Sequence, residues 1–139
     1  MEDSTDTGGL KTVLIVEDHA LMRQTLRRFL EQAFPGCGFR EAADGASALE
    51  ACNAHPAQLV LMDIFLPDAN GIELTARLRV LYPGIQVIVV SHKSGQPYVQ
   101  RALAAGARAY VVKDNLATDL VPAVAAAIGV APVTNTGTS

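Results

Sequence analysis

The sequence predicts an α/β fold: a doubly wound parallel sheet of five strands, with the chain alternating five times between a strand and a helix. Four short apolar runs are continuous rather than alternating, which is typical of parallel strands buried on both faces. They lie at residues 13–16, 59–62, 87–90 and 109–112, and a weaker run at 38–41 is expected to form an edge strand. Because segments with helical spacing separate these runs, we expect right-handed crossovers and helices on both faces of the sheet.

The five helices predicted between the strands have start and stop signals in the sequence. They are expected near residues 22–33, 44–54, 74–81, 98–105 and 116–128. Pro-Gly pairs end the first and the third, Asp44 is a suitable N-cap for the second, and Gly106 ends the fourth. Pro122 lies early enough in the fifth helix to be tolerated there or to kink it.

The composition is that of one globular domain. The 139 residues carry 14 acidic and 11 basic side chains, a formal net charge of −3, and half of them are hydrophobic. The high hydrophobic content excludes disorder of the whole chain, and the slightly negative net charge argues against a protein that coats nucleic acid or an anionic membrane. Three of the acids lie within the first ten residues, so the rest of the chain is formally neutral. We expect a disordered acidic tail at 1–10, one domain at 11–128, and a linker or disordered tail at 129–139.

The sequence favours a cytoplasmic protein without a membrane segment. Its acidic, polar amino terminus is the reverse of a secretory signal. The longest apolar stretch, residues 120–133, is interrupted by Pro122 and Pro132 and is too short to span a bilayer. Cys37 and Cys52 form no metal-ligand or disulfide pattern and are interpreted as reduced thiols.

Charged or hydroxyl residues follow each of the four strong strands. Glu17 and Asp18 end the first, Asp63 the third, Ser91 the fourth and Lys113 the fifth. Taken singly, each has an ordinary structural explanation: a helix cap, a turn residue or a solvated loop charge. Together they are significant, because the carboxyl ends of parallel strands meet at one edge of the sheet, where ligands of such folds bind.

The residue types at this edge indicate phosphate chemistry. Three neighbouring carboxylates repel one another and raise each other's pKa unless a cation joins them. Oxygen ligands suit a hard divalent ion, and Mg²⁺ characteristically binds one or two carboxylates together with a phosphate. Lys113 and Ser91 would supply complementary donors. The set describes a pocket for phosphoryl transfer, in which positioning and charge neutralisation do most of the catalytic work.

The sequence resembles the receiver domain of bacterial two-component response regulators over about residues 11–128. The resemblance rests on Val16-Glu17-Asp18-His19, on Leu61-Met-Asp63-Ile-Phe-Leu-Pro67 with Gly71, on Val90-Ser91, and on Ala104-Ala-Gly106-Ala with Tyr110-Val-Val-Lys113. It implies the flavodoxin-like (βα)5 fold. Lys113 is followed by Asp114, where many receivers have proline, and in this respect the chain resembles the LuxR-type subgroup that precedes a helix-turn-helix.

The resemblance assigns a metal site to the acidic positions. Asp63 would be the phosphoacceptor, attacking a phosphohistidine of a partner. Asp18, Asp63 and the backbone carbonyl of Phe65 would bind Mg²⁺, for which Mn²⁺ could substitute. Glu17 would hold the metal through a water molecule.

The resemblance also implies a switch. Ser91 and Lys113 would contact phosphoryl oxygens, and Tyr110 would change its packing when Ser91 is drawn toward the phosphoryl group. Phosphorylation adds a charge of about −1.5 to −2 and so favours the loop arrangement that contacts it. The surface of the fourth helix, fifth strand and fifth helix would report the change. A half-buried strand aromatic is the plain interpretation of Tyr110.

The implied partners are a sensor histidine kinase or a phosphotransfer protein. Arg23, Arg27 and Arg28 on the first helix would border the docking surface, although a solvated helix face is the ordinary interpretation. A homodimer through the fourth and fifth helices fits the family. No nucleic-acid or membrane partner is expected for this chain, although a DNA-binding domain could follow it in a longer protein. We expect a signalling domain with self-catalysed phosphotransfer and autodephosphorylation, rather than an enzyme.

The sequence leaves two alternative functions open, and it departs from the common receiver pattern at two positions. An aspartyl-phosphate phosphohydrolase would carry a second Asp two positions after the nucleophile, where this chain has Phe65. A degenerate receiver would act only as an interaction module. Asp114 removes a rigid proline beside Lys113, and His92 places an imidazole at the pocket mouth, where it slows access or simply faces solvent.

Overall fold

The computed structural model describes residues 11–133 as one five-stranded parallel sheet with helices on both faces. The strands are β1 (Thr12–Val16), β2 (Gly38–Ala42), β3 (Leu59–Met62), β4 (Gln86–Ser91) and β5 (Ala109–Val112). The helices are α1 (Ala20–Ala33), α2 (Gly45–Ala54), α3 (Gly71–Leu81), α4 (Gln96–Ala104) and α5 (Leu116–Ile128). A 3₁₀ turn, Lys113–Asn115, connects β5 to α5.

The sheet has the strand order β2-β1-β3-β4-β5, and every neighbouring pair is parallel. The chain winds from β1 to β2 in one direction and then from β3 to β5 in the other. The winding therefore reverses between β1 and β3, where Val16 pairs with Met62. In doubly wound sheets this reversal opens a crevice at the carboxyl ends of the strands.

Continuous apolar strands pack against helices on both faces, as the sequence predicts. On one face, β-strand residues such as Ile15 and Val90 pack with α1 and α5 through Leu30 and Leu120, all almost completely buried. On the other face, Leu14 and neighbouring strand residues pack against α2 and α3. Burying a Leu or Ile side chain stabilises the fold by about 1.5–3 kcal/mol, so these two layers hold the strand ends in fixed positions.

The predicted α/β class, all five strands and all five helices are confirmed. Several helix starts are set by local contacts that periodicity does not reveal. The Nδ1 atom of His19 accepts from the Met22 amide and caps α1, and the Asn70 side chain caps α3. Asp44 caps α2 as predicted, with Ser47 as its partner. The α5 helix continues through Pro122.

The expected tail at 1–10 and residues 134–139 of the expected linker lie outside the described residues. Residue Val133 returns to the body of the domain, because its amide donates a hydrogen bond of 2.8 Å to the Ala33 carbonyl at the end of α1. Within residues 11–133, each helix is too short or too polar to cross a bilayer.

Candidate functional site

Two acids follow β1 and differ sharply in their surroundings. Glu17 is 2% exposed, whereas Asp18 is exposed. One carboxylate oxygen of Glu17 accepts from Lys113 Nζ at 2.7 Å, and the other accepts from the His19 amide at 3.0 Å. Both oxygens of the buried acid are therefore occupied, and Asp18 is the acid that faces open solvent.

Asp63 lies at the end of β3, in the adjacent strand. It is 7% exposed, and its Oδ1 lies 3.4 Å from Lys113 Nζ. Burial of the carboxyl group, together with the Glu17 carboxylate, raises the pKa of Asp63, and Lys113 opposes that effect. Lys113 is thus the cation that links two buried acids.

The three acids form a cluster whose chemistry fits a divalent metal ion. Glu17, Asp18 and Asp63 each offer a carboxylate oxygen, and these oxygens lie within 4.8 Å of one another. An all-oxygen set at this spacing is the donor chemistry of Mg²⁺ and similar hard cations. The cluster opens into a cavity of about 400 Å³. Its lining consists of Glu17, Asp18, His19, Met22, Asp63, Phe65, Ser91, His92, Lys93 and Lys113.

The expected switch residues meet at the loop that follows β4. Ser91 is completely buried, and its hydroxyl accepts from the Lys93 amide at 3.1 Å. The Tyr110 hydroxyl donates to the Lys93 carbonyl at 2.6 Å. Burial raises the pKa of Tyr110, so its hydroxyl stays protonated and remains a donor at neutral pH. Both backbone groups of Lys93 are therefore hydrogen-bonded, its amide to Ser91 and its carbonyl to Tyr110.

The structure also identifies a contact that the sequence interpretation missed. Arg23 donates from Nη1 to the Glu17 carbonyl at 2.7 Å and from Nε to Glu41 at 2.8 Å. Arg27 binds the same Glu41 carboxylate. Arg23, predicted to border a docking surface, therefore connects α1 to the backbone at Glu17. The sequence signal for this contact is the position of Arg23, about one turn into α1, the helix that follows Glu17 and Asp18.

A glycine supports the backbone under Asp63. A Cβ atom on Gly71 would lie 1.9 Å from the Asp63 carbonyl oxygen, far inside contact distance. The Gly71 amide donates to the Ile64 carbonyl at 2.7 Å. The loop from Asp63 to α3 can close in this way because residue 71 has no side chain.

The two departures noted in the sequence lie beside each other at the cavity mouth. The peptide bond between Lys113 and Asp114 is trans, as are all peptide bonds in the part of the chain that the structure describes. His92 Nδ1 lies 3.4 Å from Asp114 Oδ1, and both side chains are largely exposed. His92 therefore reaches the loop that carries Lys113, in addition to lining the cavity.

Comparison with known proteins decides the family. The family described as "Response regulator receiver domain" matches residues 13–125. The chain belongs to the response-regulator receiver family. Its phosphohydrolase and interaction-only alternatives are not favoured by these matches. The matched region contains every residue of the predicted site and all five strands except Thr12, the first residue of β1.

Relatives of this receiver domain include transcriptional regulators and a chemotaxis protein. It is 33% identical over 112 residues to the transcriptional regulatory protein DegU of Brevibacillus brevis, a match that covers 81% of this chain and 48% of the relative. It is 34% identical over 103 residues to the chemotaxis protein CheY of Halobacterium salinarum, covering 74% of this chain and 84% of the relative. The chain spans about half the length of several curated regulators that it matches.

Solved structures of receiver domains have the same fold. A two-component response regulator of the LuxR family from Aurantimonas sp. SI85-9A1 matches with a TM-score of 0.80 and 30% identity, over 88% of this chain and 89% of the other. The signal receiver domain of the putative response regulator NarL from Mycobacterium tuberculosis matches with a TM-score of 0.78 and 31% identity, over 86% and 98% of the two chains.

Proposed function

We propose that this receiver domain accepts a phosphoryl group on Asp63 from a phosphohistidine of a partner protein. One observation carries the proposal: Asp63, buried at the crevice of the sheet, lies 3.4 Å from Lys113 Nζ and within a cluster of carboxylate oxygens. A carboxylate oxygen of Asp63 attacks phosphorus, the bond from phosphorus to the imidazole nitrogen breaks, and the imidazole leaves with that electron pair. Positioning and charge neutralisation do the catalytic work.

The chain's own residues are suited to stabilise the transferred group. Lys113 supplies an ammonium beside Asp63, and the Ser91 hydroxyl supplies a hydrogen-bond donor from the next strand end. Asp18, Asp63 and the Phe65 carbonyl are the proposed Mg²⁺ ligands, with Mn²⁺ as a substitute. Both oxygens of Glu17 already accept hydrogen bonds, which supports a role through water for this acid. The bound cation supplies positive charge that offsets the phosphoryl oxygens.

The proposed output is a change at α4, β5 and α5. If Ser91 turns toward a phosphoryl oxygen, its hydrogen bond with the Lys93 amide is lost. Tyr110 holds the carbonyl of the same Lys93, so the loop after β4 and the Tyr110 side chain move together. This is a population shift between two loop arrangements.

The wider biological role follows from the family. We propose that the donor is a sensor histidine kinase or a phosphotransfer protein in the cytoplasm, and that α4 and α5 can form a homodimer. The domain turns over no substrate beyond its own phosphotransfer and autodephosphorylation. Because the chain covers about half of several transcriptional regulators, we propose that a DNA-binding domain follows it in the full-length protein, and that this chain itself binds no nucleic acid.

The direct test is phosphorylation by acetyl phosphate in the presence of Mg²⁺, followed by intact mass spectrometry. The wild type is expected to gain one phosphoryl group, and Asp63→Asn none. Asp119→Asn is the matched control, because Asp119 is an exposed acid on α5 and its loss should leave labelling unchanged. Persistent labelling of Asp63→Asn would defeat the assignment, and an unlabelled, folded wild type would favour the interaction-only alternative.

A further inference from the structure

Residues 64–70, the loop between Asp63 and α3, contain one acid, Asp68, which does not line the acidic cavity. Asp68 instead reaches the amino terminus of α2. Its Oδ1 accepts from the Gly45 amide at 2.7 Å, and its Oδ2 accepts from the Ala46 amide at 3.0 Å. The first amides of a helix have no partner within the helix and carry a partial positive charge. One carboxylate therefore accepts from two of these amides, and the partial positive charge of the helix terminus attracts its negative charge.

Steric evidence shows how closely the 64–70 loop approaches this helix. A Cβ atom on Gly45 would lie 2.9 Å from the Ala69 Cβ and 3.2 Å from Asp68 Oδ1. The first residue of α2 must therefore lack a side chain for the loop to pack where it does. The hydrogen bonds and the glycine are independent signs of one contact between this loop and α2.

The remaining hydrogen bonds of the 64–70 loop are internal to the loop and the start of α3. The Leu66 amide donates to the Ala69 carbonyl at 3.2 Å, and Phe65 and Asn70 form an isolated β-bridge. The Asn70 side chain caps α3. In the part of the chain that the structure describes, Asp68 is the one side chain of the 64–70 loop that hydrogen-bonds to α2, which is not adjacent to the loop in the sequence. Without it, the loop would be attached to the sheet only at its start, where the Asp63 amide donates to the Val16 carbonyl at 3.1 Å, and no side chain of residues 64–70 would bond it to α2.

We propose that Asp68 is a positioning residue: by tying the 64–70 loop to the amino terminus of α2, it holds Asp63 and the Phe65 carbonyl in place for the divalent ion. The inference rests on the proposed function for the identity of the ion. It also implies a reciprocal effect, because a ligand that fixes the loop must strengthen the contact with α2 by the same free energy. Groups that orient metal ligands commonly affect metal affinity roughly 10–100-fold when removed.

The test compares Asp68→Ala with Asp44→Ala. Asp44 caps the same helix through the Ser47 amide at 2.8 Å but forms no hydrogen bond with the 64–70 loop, so we expect its loss to weaken α2 alone. Amide hydrogen exchange, followed by NMR without metal, reports the loop through the bonded amides of Leu66 and Gly71. Mg²⁺ titration by calorimetry reports the site. Asp68→Asn retains one acceptor and serves as the conservative variant.

Asp68→Ala is expected to lose protection at Leu66 and Gly71 and to bind Mg²⁺ roughly tenfold more weakly, with Asp68→Asn intermediate. Asp44→Ala should lose protection within α2 only and keep its Mg²⁺ affinity. Unchanged exchange at Leu66 and Gly71 in Asp68→Ala, or equal effects of the two alanine variants, would overturn the proposal. A wild type that binds no Mg²⁺ would defeat the proposed function, and the metal-free exchange would still decide whether Asp68 positions the loop.

Discussion

Three buried side chains, two acids and one lysine, determine the charge of the site. Glu17 and Lys113 form an ion pair of 2.7 Å, and Lys113 also contacts Asp63. A buried charge is tolerated when it is paired and hydrogen-bonded. One ammonium cannot fully offset two carboxylates, so Asp63 remains the strained member of the group. The site is therefore prepared for additional positive charge.

The raised pKa of Asp63 leads to a pH-dependent effect on stability. The folded state favours the protonated carboxyl group, so this group's stabilising contribution is present at acidic pH and is lost as the pH rises through its folded-state pKa. Without metal, Asp63→Asn is therefore expected to be more stable than the wild type at pH 7. The difference should shrink as the pH falls through the raised folded-state pKa of Asp63, and it should be gone below about 4, the ordinary pKa of an Asp carboxyl group.

Urea unfolding in EDTA at a series of pH values measures this difference. Lys113 keeps Glu17 as a partner in the variant, so the comparison isolates the cost of the ionised Asp63. The exposed Asp119→Asn provides the control for a lost surface charge. A stability difference of constant size across the pH range would contradict the prediction.

At the scale of secondary-structure elements, the closure of the loop before α3 depends on Gly71. Replacement by Ala forces the Cβ atom into the Asp63 carbonyl, so the backbone below the phosphoacceptor must move. Overpacking of this kind typically costs about 1–3 kcal/mol, and we expect Gly71→Ala also to weaken Mg²⁺ binding. Gly36→Ala is the matched control, because a Cβ atom there meets nothing within 4 Å.

Urea unfolding and Mg²⁺ titration of both variants check the role of Gly71. Equal stability of Gly71→Ala and Gly36→Ala would show that the loop can relax without cost. A destabilised Gly71→Ala with unchanged Mg²⁺ affinity would mean that Asp63 keeps its position while the strain is absorbed within α3.

The elements of this fold were predictable from the sequence because four of its five strands are continuous apolar runs, and the polar residues at the strand ends indicated the site. Contacts between loops were not predictable in the same way. Arg23 with the Glu17 carbonyl, and Asp68 with the amides of Gly45 and Ala46, join segments 6 to 23 positions apart. The spacing of apolar residues indicates which face of a helix or strand is buried, but it does not indicate which loops lie close together.

At the scale of the whole molecule, the sheet order is what assembles the site. Glu17 and Lys113 are 96 positions apart in the chain, and they meet because β1, β3, β4 and β5 all end at the same edge of the sheet. The strands β1, β3 and β4 are almost completely buried between helices, and β5, at the edge of the sheet, is partly buried. Folding therefore has to bring like charges together, and the hydrophobic layers supply the stabilisation that makes this tolerable.

The same reasoning predicts that a divalent ion stabilises the entire domain. A ligand that binds the folded state alone adds about 2.7 kcal/mol to the free energy of unfolding at a concentration 100 times its Kd. Urea unfolding of the wild type with and without saturating Mg²⁺ should show this gain with an unchanged m-value, since the same surface is exposed on unfolding. Asp18→Asn should abolish the gain, because Asp18 is the exposed acid of the cluster, whereas Asp119→Asn should retain it. A gain that survives in Asp18→Asn would place the ion elsewhere on the molecule.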